Sequence, residues 1–187
     1  MKIPYNKIDN TWTLFLDRDG VINYEKHKDY IHSWQEFRFY EGVTDALKIL
    51  SGIFHRLIVI TNQRGLGKGL TKAEDLEEIH TNMEYEIVRT GGRLDAIYFC
   101  GDLDDLSPMR KPNPGMGLKA IEQFPDIDPS RSVMVGNTLS DMEFGKNLGC
   151  YTVFLPTTRP EVSLTDSRID DVFPSLIAFA TYLADNL

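Results

Sequence analysis

The chain has 187 residues, of which 42% are hydrophobic and 26% charged, and this predicts one globular domain over residues 1–187 with a full hydrophobic core. Its formal net charge of −8 disfavours nucleic acid as a partner, because a phosphate backbone binds a basic surface, although a local lysine and arginine cluster still allows a small anionic substrate. Residues 1–11 are polar, unlike a signal peptide, and no apolar run approaches the roughly 20 residues of a membrane span, so we expect no membrane contact.

Short apolar runs alternate along the chain with segments of helical periodicity. Strands are predicted at Thr13–Leu16, Arg56–Ile60, Leu94–Cys100, Ser132–Val135, Tyr151–Leu155 and Asp170–Phe173. Helices are predicted from Val43 to about Gly52, from a capping box at Thr71 and Glu74 to about Thr90, and over Met116–Phe124, Asp141–Leu148 and Pro174–Ala184. The segment Asn23–Phe39 lacks a helical period and is predicted to be a long ordered loop.

This alternation of strands and helices predicts βαβ units and a mostly parallel sheet. Parallel crossover connections are almost always right-handed, so the predicted fold is a doubly wound, three-layer α/β sandwich. In such sheets, ligands bind in a crevice outside the carboxyl ends of the strands. The residues that follow each predicted strand are therefore the candidates for a functional site.

The first predicted strand ends at two aspartates, Asp17 and Asp19, which are followed by Gly20. Residues two apart in an extended chain point the same way, so both carboxylates can face one ligand at the rim of the sheet. Two carboxylates this close repel each other unless a cation or a shared proton relieves them, and Mg²⁺ suits such oxygen ligands. The alternative is a polar turn that caps the next helix, since Asp-Gly is common in turns.

Three further polar segments follow strand-like runs, and they add groups that suit phosphoryl transfer. They contain Thr61 and Asn62, the pair Arg110-Lys111, and the pair Asn137 and Asp141. A carboxylate can attack phosphorus, a second can protonate the leaving alcohol and then activate water, and a metal, lysine and hydroxyl can hold the phosphoryl oxygens. Taken singly, Lys111 is as readily a surface lysine, and Thr61 a helix cap.

The four motifs together resemble the haloacid dehalogenase superfamily of aspartyl-phosphate phosphatases, and within it the heptose bisphosphate phosphatase and histidinol-phosphatase group. The resemblance covers about residues 12–155. It is carried by Phe-Leu-Asp17-Arg-Asp19-Gly-Val, Ile-Thr61-Asn62-Gln63, Arg110-Lys111-Pro-Asn-Pro-Gly-Met and Val-Gly136-Asn137-Thr-Leu-Ser-Asp141-Met. It implies a Rossmann-like domain without a large cap, in which the Asn23–Phe39 and Gly65–Gly69 loops shape the substrate entrance.

The resemblance also implies catalytic and metal-binding roles. Asp17 would be the nucleophile and a Mg²⁺ ligand. Asp19 would be the general acid and base, with its backbone carbonyl on the metal, and Lys111 would neutralise Asp17 and the phosphate. Asn137 would occupy the remaining protein ligand position of the metal, and Asp141 would support the waters bound to the metal. Substrate-binding roles would fall to Thr61, Asn62, Gln63, Arg110 and Lys111.

The sequence departs from the group's pattern in two places. Family members usually have an acidic residue where Asn137 stands, and an amide lacks the negative charge that favours Mg²⁺, so we expect weaker metal binding. Many members also hold a structural zinc in the loop before the Arg-Lys pair through three cysteines and a histidine. Here that loop offers only Cys100, and zinc needs four ligands, so we expect no zinc.

We therefore expect a Mg²⁺-dependent phosphatase that hydrolyses a small phosphomonoester through an aspartyl-phosphate, with a heptose bisphosphate as the favoured substrate. Two alternatives remain open: a histidinol-phosphate phosphatase, and a phosphosugar-binding protein that is catalytically weakened at Asn137. The two cysteines, Cys100 and Cys150, lie far apart and suggest no disulfide framework. We accordingly expect a cytoplasmic monomer whose partner is a small phosphorylated metabolite.

Overall fold

A six-stranded sheet lies at the centre of the structure, a computed structural model that describes residues 2–187. The strands are β1 (Thr13–Leu16), β2 (Arg56–Asn62), β3 (Ala96–Cys100), β4 (Ser132–Gly136), β5 (Tyr151–Phe154) and β6 (Asp171–Val172). All neighbouring strands are parallel, and their order is β3-β2-β1-β4-β5-β6. Each predicted strand is present, with its ends shifted by up to two residues.

Helices cover both faces of this sheet. They are α1 (Val43–Ile53), α2 (Arg64–Gly67), α3 (Ala73–Arg89), α4 (Gly115–Gln123), α5 (Leu139–Leu148) and α6 (Leu176–Asn186), with 3-10 turns at Tyr5–Lys7, Trp34–Glu36 and Pro129–Arg131. Buried side chains of α1, α3 and α6 form one hydrophobic core, and those of α4 and α5 form the other.

Strand β1 shows how the sequence produces the three layers. Leu14 and Leu16 belong to the core beneath α1, α3 and α6, while Phe15 between them belongs to the core beneath α4 and α5. All three side chains are fully buried. A continuous apolar run therefore fits because the strand is covered on both faces, as parallel strands usually are. The predicted three-layer, doubly wound α/β fold is confirmed.

The strand order reverses beside β1, and this places the functional crevice. From β1 the chain runs outward through β2 to β3, and then returns to β4 on the other side of β1. A doubly wound sheet opens a crevice at the carboxyl ends of its strands where the order reverses. Asp17 is the first residue after β1, so it lies at the floor of this crevice.

The predicted helix starts are displaced by one or two residues at α3, α4, α5 and α6; α4 begins at Gly115 rather than Met116, and α6 at Leu176 rather than Pro174. Lys72, not Thr71, is the N-cap of α3, and no side chain caps that end; the Thr71 hydroxyl instead lies 3.0 Å from His32 Nδ1. Helix α5 begins at Leu139 rather than Asp141, because Thr138 and Asp141 form a capping box there. Thr71 was wrongly predicted as the N-cap because its hydroxyl hydrogen-bonds His32 in a distant loop instead of a backbone N–H of α3.

The connection from β1 to α1 contains no cap domain in the part of the chain that the structure describes. It is an ordered loop with one 3-10 turn, held by mutual packing of Trp34, Phe37 and Phe39. This confirms the loop predicted over Asn23–Phe39. Among residues 2–187, every helix is too short or too polar to span a lipid bilayer.

Candidate active site

A pocket of about 490 Å³ opens at the carboxyl ends of the central strands. Eight of the nine predicted site residues line it: Asp17, Asp19, Thr61, Asn62, Gln63, Arg110, Lys111 and Asp141. The ninth, Asn137, is fully buried and packs against Gly20 at the edge of the pocket. The structure therefore brings together segments that are spread over more than 120 positions of the sequence.

Asp17 is held at the floor of the pocket with one oxygen fixed. Its backbone N–H donates to the Val135 carbonyl of β4, and its Oδ1 accepts from the Arg18 N–H at 2.8 Å and lies 2.9 Å from Lys111 Nζ. Burial and the nearby Asp141 carboxylate outweigh Lys111 and raise the pKa of Asp17 to about 7. The Asp17 carboxyl therefore ionises less readily than an exposed aspartate, because Lys111 only partly offsets its burial and the Asp141 charge.

Lys111 shares its charge between two carboxylates. Its Nζ lies 2.9 Å from Asp17 Oδ1 and 2.6 Å from Asp141 Oδ1, and it donates to the Ile60 carbonyl at 2.8 Å. An ammonium has three donors, so all of them are engaged. Asn62 holds the lysine backbone in place, because its side-chain amide makes hydrogen bonds with both the N–H and the carbonyl of Lys111.

Asp141 connects the lysine to the start of α5. Its Oδ2 accepts from the backbone N–H groups of Asn137 and Thr138 and from the Thr138 hydroxyl, while its Oδ1 faces Lys111. Both oxygens are therefore occupied by protein groups. This arrangement positions Lys111, and support of metal-bound water by Asp141 stays a prediction.

Asp19 is held as a carboxylate by a ring of donors. Its oxygens accept from Arg18 Nη2, from Asn23 Nδ2 at 2.8 Å and from Gln63 Nε2 at 2.8 Å. Burial raises the pKa of Asp19, but Arg18, Asn23 and Gln63 together outweigh it and hold the pKa below its ordinary value. At rest, Asp19 is therefore an ionised carboxylate with donors on both of its oxygens.

Arg18 and His80 were not predicted as site residues, yet they support Asp19: Arg18 contacts the Asp19 carboxylate, and His80 contacts Arg18. Arg18 is fully buried, and its Nη1 lies 3.1 Å from His80 Nε2 on α3. Burial and the adjacent guanidinium lower the pKa of His80 to about 3, so the ring is neutral. A guanidinium only donates, so Nε2 accepts and Nδ1 carries the proton. A histidine on the apolar side of a predicted helix was the available signal.

Replacing His80 with Leu is expected to lower the free energy of unfolding by about 1–3 kcal/mol, because it leaves a buried guanidinium donor without its acceptor. His80→Gln retains an acceptor and should recover part of the loss. Urea unfolding at pH 7.5 measures both. Equal stability of the Leu variant and the wild type would show that Arg18 does not depend on this contact.

Two pocket side chains keep free hydrogen-bonding capacity. Thr61 Oγ1 accepts from Gln63 Nε2 at 2.9 Å, which leaves its hydroxyl proton free to donate. Arg110 pairs with Asp105 through Nε at 3.1 Å, while its buried Nη1 has no partner among residues 2–187. Both residues line the pocket, where an anionic group of a ligand would provide an acceptor.

The long loop after β1 forms one wall of the pocket. Glu25, Lys26, Asp29, Tyr30 and Ile31 line it, and Glu25 pairs with Arg159 at 2.6 Å. The prediction that the Gly65–Gly69 segment also shapes the entrance is wrong: it forms α2 and the turn after it, and none of its residues is among the described ones that line the pocket.

Gly20 is required for the close approach of Asn137. Its φ is +88°, and a Cβ there would lie 1.9 Å from Asn137 Nδ2. Gly69 has a similar φ of +67° but open space around it, so Gly69→Ala isolates the backbone strain of about 1–2 kcal/mol. Gly20→Ala is expected to lose about 1–3 kcal/mol more through overpacking. Chemical unfolding of both variants tests this, and equal losses would refute the crowding.

The charge balance of the pocket fits a bound divalent cation. Six carboxylates line it against four side-chain cations, so a phosphate dianion would meet an excess of negative charge. Within residues 2–187, no three His, Cys, Asp or Glu side chains are grouped as a metal centre. This donor set suits Mg²⁺, which binds few protein oxygens and keeps water or phosphate oxygens as its other ligands. The buried Asn137 Oδ1 has no hydrogen-bond partner among the described residues and is thus a protein oxygen with free acceptor capacity.

Comparison with known proteins finds heptose bisphosphate phosphatases among the relatives of this chain. The HAD-hydrolase-like family model matches residues 108–179. The chain is 34% identical over 170 residues to a D-glycero-α-D-manno-heptose-1,7-bisphosphate 7-phosphatase of Mycobacterium bovis, covering 90% of each chain. It is 36% identical over 145 residues to the Campylobacter jejuni enzyme of the same name, covering 78% of this chain and 82% of that one.

Solved structures show the same likeness. A D,D-heptose 1,7-bisphosphate phosphatase from B. bronchiseptica, complexed with magnesium and phosphate, has a TM-score of 0.84 and 28% identity, covering 94% of this chain and 99% of that one. The enzyme of that name from Burkholderia thailandensis has a TM-score of 0.67 and 29% identity, covering 92% and 98%. The doubly wound fold is common to all three.

Proposed function

Since the chain belongs to the haloacid dehalogenase-like family of heptose bisphosphate phosphatases, and is thus a phosphoric monoester hydrolase, we propose that it removes one phosphate from a heptose bisphosphate. The proposed reaction depends on Mg²⁺ and passes through an aspartyl-phosphate on Asp17. The observation that carries the proposal is the ion pair between Asp17 and Lys111, whose Nζ lies 2.9 Å from Asp17 Oδ1 on the floor of the pocket. Asp19, the proposed acid and base, follows Asp17 by two residues.

Two displacements at phosphorus make up the reaction. A carboxylate oxygen of Asp17 attacks phosphorus, the bond from phosphorus to the sugar oxygen breaks, and Asp19 donates a proton to the leaving oxygen. Asp19, now a carboxylate, takes a proton from water as that water attacks the aspartyl-phosphate. The bond from phosphorus to Asp17 breaks, and inorganic phosphate and free Asp17 are formed.

Asp19 must lose one of its donors to act as an acid. Both of its oxygens are engaged at rest, and these contacts keep its pKa low. Withdrawal of Gln63 from Asp19 would leave Oδ2 in contact with Arg18 Nη2 but with one donor fewer, and would raise the pKa of Asp19. The Gln63 amide also donates to Thr61 Oγ1, and the Thr61 hydroxyl proton remains free to donate to a phosphate oxygen. We infer that Gln63 connects the Thr61 hydroxyl to Asp19, because its amide nitrogen donates to both.

The substrate is held by the positive charge of Lys111 and Arg110 and by the free hydroxyl proton of Thr61. We assign the transferring phosphate to Lys111 and the Thr61 hydroxyl, with Asn62 holding the lysine in place, and a second anionic group to Arg110, whose buried Nη1 is free among the described residues. Mg²⁺ would be held by Asp17, the Asp19 carbonyl and Asn137, and when bound it would draw charge from the phosphoryl oxygens. Asp141 would contribute through Lys111 and any metal-bound water.

Phosphate release from a substrate panel tests the proposal. The panel contains the α and β anomers of heptose 1,7-bisphosphate, sugar monophosphates and histidinol phosphate, each with Mg²⁺ and with EDTA. We expect Mg²⁺-dependent turnover with a heptose bisphosphate as the best substrate. A preference for histidinol phosphate would reassign the substrate. No turnover by folded protein on any member would favour a phosphosugar-binding protein.

The proposal extends to the setting of the protein. We propose that residues 1–187 form a single catalytic domain that acts as a cytoplasmic monomer without zinc. Both cysteines are buried and free, which suits a reducing compartment. Residues 101–109, which precede Arg110, contain neither cysteine nor histidine, the ligands from which structural zinc sites are usually built. Sedimentation and metal analysis of the purified protein test these statements.

A further inference from the structure

We propose that Glu25 supplies, through the amide of Asn137, the negative charge that a carboxylate at position 137 would give to the metal site. The inference rests on the proposed Mg²⁺ dependence and assigns a role to a residue outside the predicted motifs. Glu25 and Asn137 are 112 positions apart in the sequence, and the wall formed by the long loop brings them into contact.

The hydrogen bonds determine which way the Asn137 amide faces. Asn137 Nδ2 donates to Thr158 Oγ1 at 2.6 Å and to Glu25 Oε2 at 3.2 Å, and the Thr158 hydroxyl donates to the same Glu25 oxygen at 3.1 Å. A carboxylate only accepts, so the amide nitrogen must face Glu25. Both amide protons are then used, and the Asn137 oxygen faces away from Glu25.

The Asn137 oxygen is left as an acceptor without a donor. Oδ1 is buried and has no hydrogen-bond partner among residues 2–187, and such an acceptor costs about 1–3 kcal/mol if nothing satisfies it. Asn137 follows β4, which pairs with β1 in register up to Leu16 and Val135, so it lies beside the strand end that carries Asp17. A cation bound between these two strand ends would satisfy the oxygen.

Glu25 affects how strongly the Asn137 oxygen binds a cation, as well as the direction in which that oxygen points. A carboxylate that accepts from the N–H of an amide draws electron density toward the amide oxygen, which then binds a cation more strongly, as the partners of metal ligands generally do. The Glu25 carboxylate also places a negative charge near the cation, separated from it by the Asn137 side chain. Arg159 pairs with the other oxygen, Oε1, at 2.6 Å and is 35% exposed, so it screens this charge only in part.

A double-mutant cycle on Mg²⁺ affinity tests the proposal without substrate. Mg²⁺ binding is measured by isothermal titration calorimetry on the wild type, Glu25→Gln, Asn137→Asp and the double variant. Glu25→Gln keeps the shape and the acceptor but removes the charge, and is expected to weaken binding about tenfold. In the wild-type background, Asn137→Asp should tighten Mg²⁺ binding only modestly, because the new carboxylate and that of Glu25 repel each other. In the Glu25→Gln background, the same substitution should increase the affinity by a factor several times larger.

Asp29→Asn is the matched control, because it removes one charge from the same wall of the pocket without touching Asn137. It should change Mg²⁺ affinity less than about twofold, since an exposed charge is largely screened. Thermal unfolding confirms that each variant is folded. Equal effects of Asn137→Asp in both backgrounds, or equal losses of affinity for Glu25→Gln and Asp29→Asn, would overturn the inference. Absence of both Mg²⁺ binding and turnover in the wild type would instead overturn the proposed function.

Discussion

Replacing Asp17 with Asn is expected to abolish both covalent phosphorylation and turnover, lowering kcat by at least about a thousandfold. The amide oxygen is a poor nucleophile and cannot form an aspartyl-phosphate. The substitution keeps the size of the side chain and an oxygen acceptor for the Arg18 N–H and Lys111. Phosphate release and mass spectrometry of acid-quenched protein measure the two effects separately.

The stability of this variant separates chemistry from misfolding. The pKa of Asp17 is raised to about 7 in the folded protein, so its ionised form is disfavoured there, and this destabilisation grows as the pH rises from about 4 to about 7. Asn cannot ionise, so Asp17→Asn should be at least as stable as the metal-free wild type at pH 8. Turnover that survives in the variant would defeat the aspartyl-phosphate mechanism.

Replacing Lys111 with Met is expected to lower both activity and stability. Asp17 and Asp141 would lose the counter-charge that they share, and breaking a buried ion pair in this way costs about 3–5 kcal/mol. Loss of the lysine charge that stabilises the phosphoryl oxygens should lower kcat by about a hundredfold or more. Chemical unfolding and steady-state kinetics measure the two losses.

A compensating variant distinguishes the two roles of Lys111. Lys111→Met combined with Asp141→Asn removes one positive and one negative charge, so it should recover much of the stability while activity stays low. Asp141→Asn alone keeps the nucleophile and should still form the phosphoenzyme. Full activity in the double variant would mean that Lys111 serves folding rather than catalysis.

Local patterns were sufficient for the fold and for most of the pocket. The apolar runs of β1, β2 and β4 are covered on both faces and could be recognised as buried parallel strands from their composition. The spacing of Asp17 and Asp19 was informative because the geometry of an extended chain sets it without reference to the rest of the protein. The parallel topology then required the polar residues after these strands to meet at one edge.

What the sequence determined was therefore the set of elements and the residues of the site; the tertiary structure alone decided the partners of those residues. Arg18 with His80, Asn137 with Glu25, and Lys111 with two carboxylates each join positions at least 30 apart. No local periodicity encodes such contacts, because they depend on sheet register and on the path of the loops. These partners set the protonation of Asp19, the direction of the Asn137 amide and the charge around Asp17, since buried polar groups must find partners wherever the fold places them.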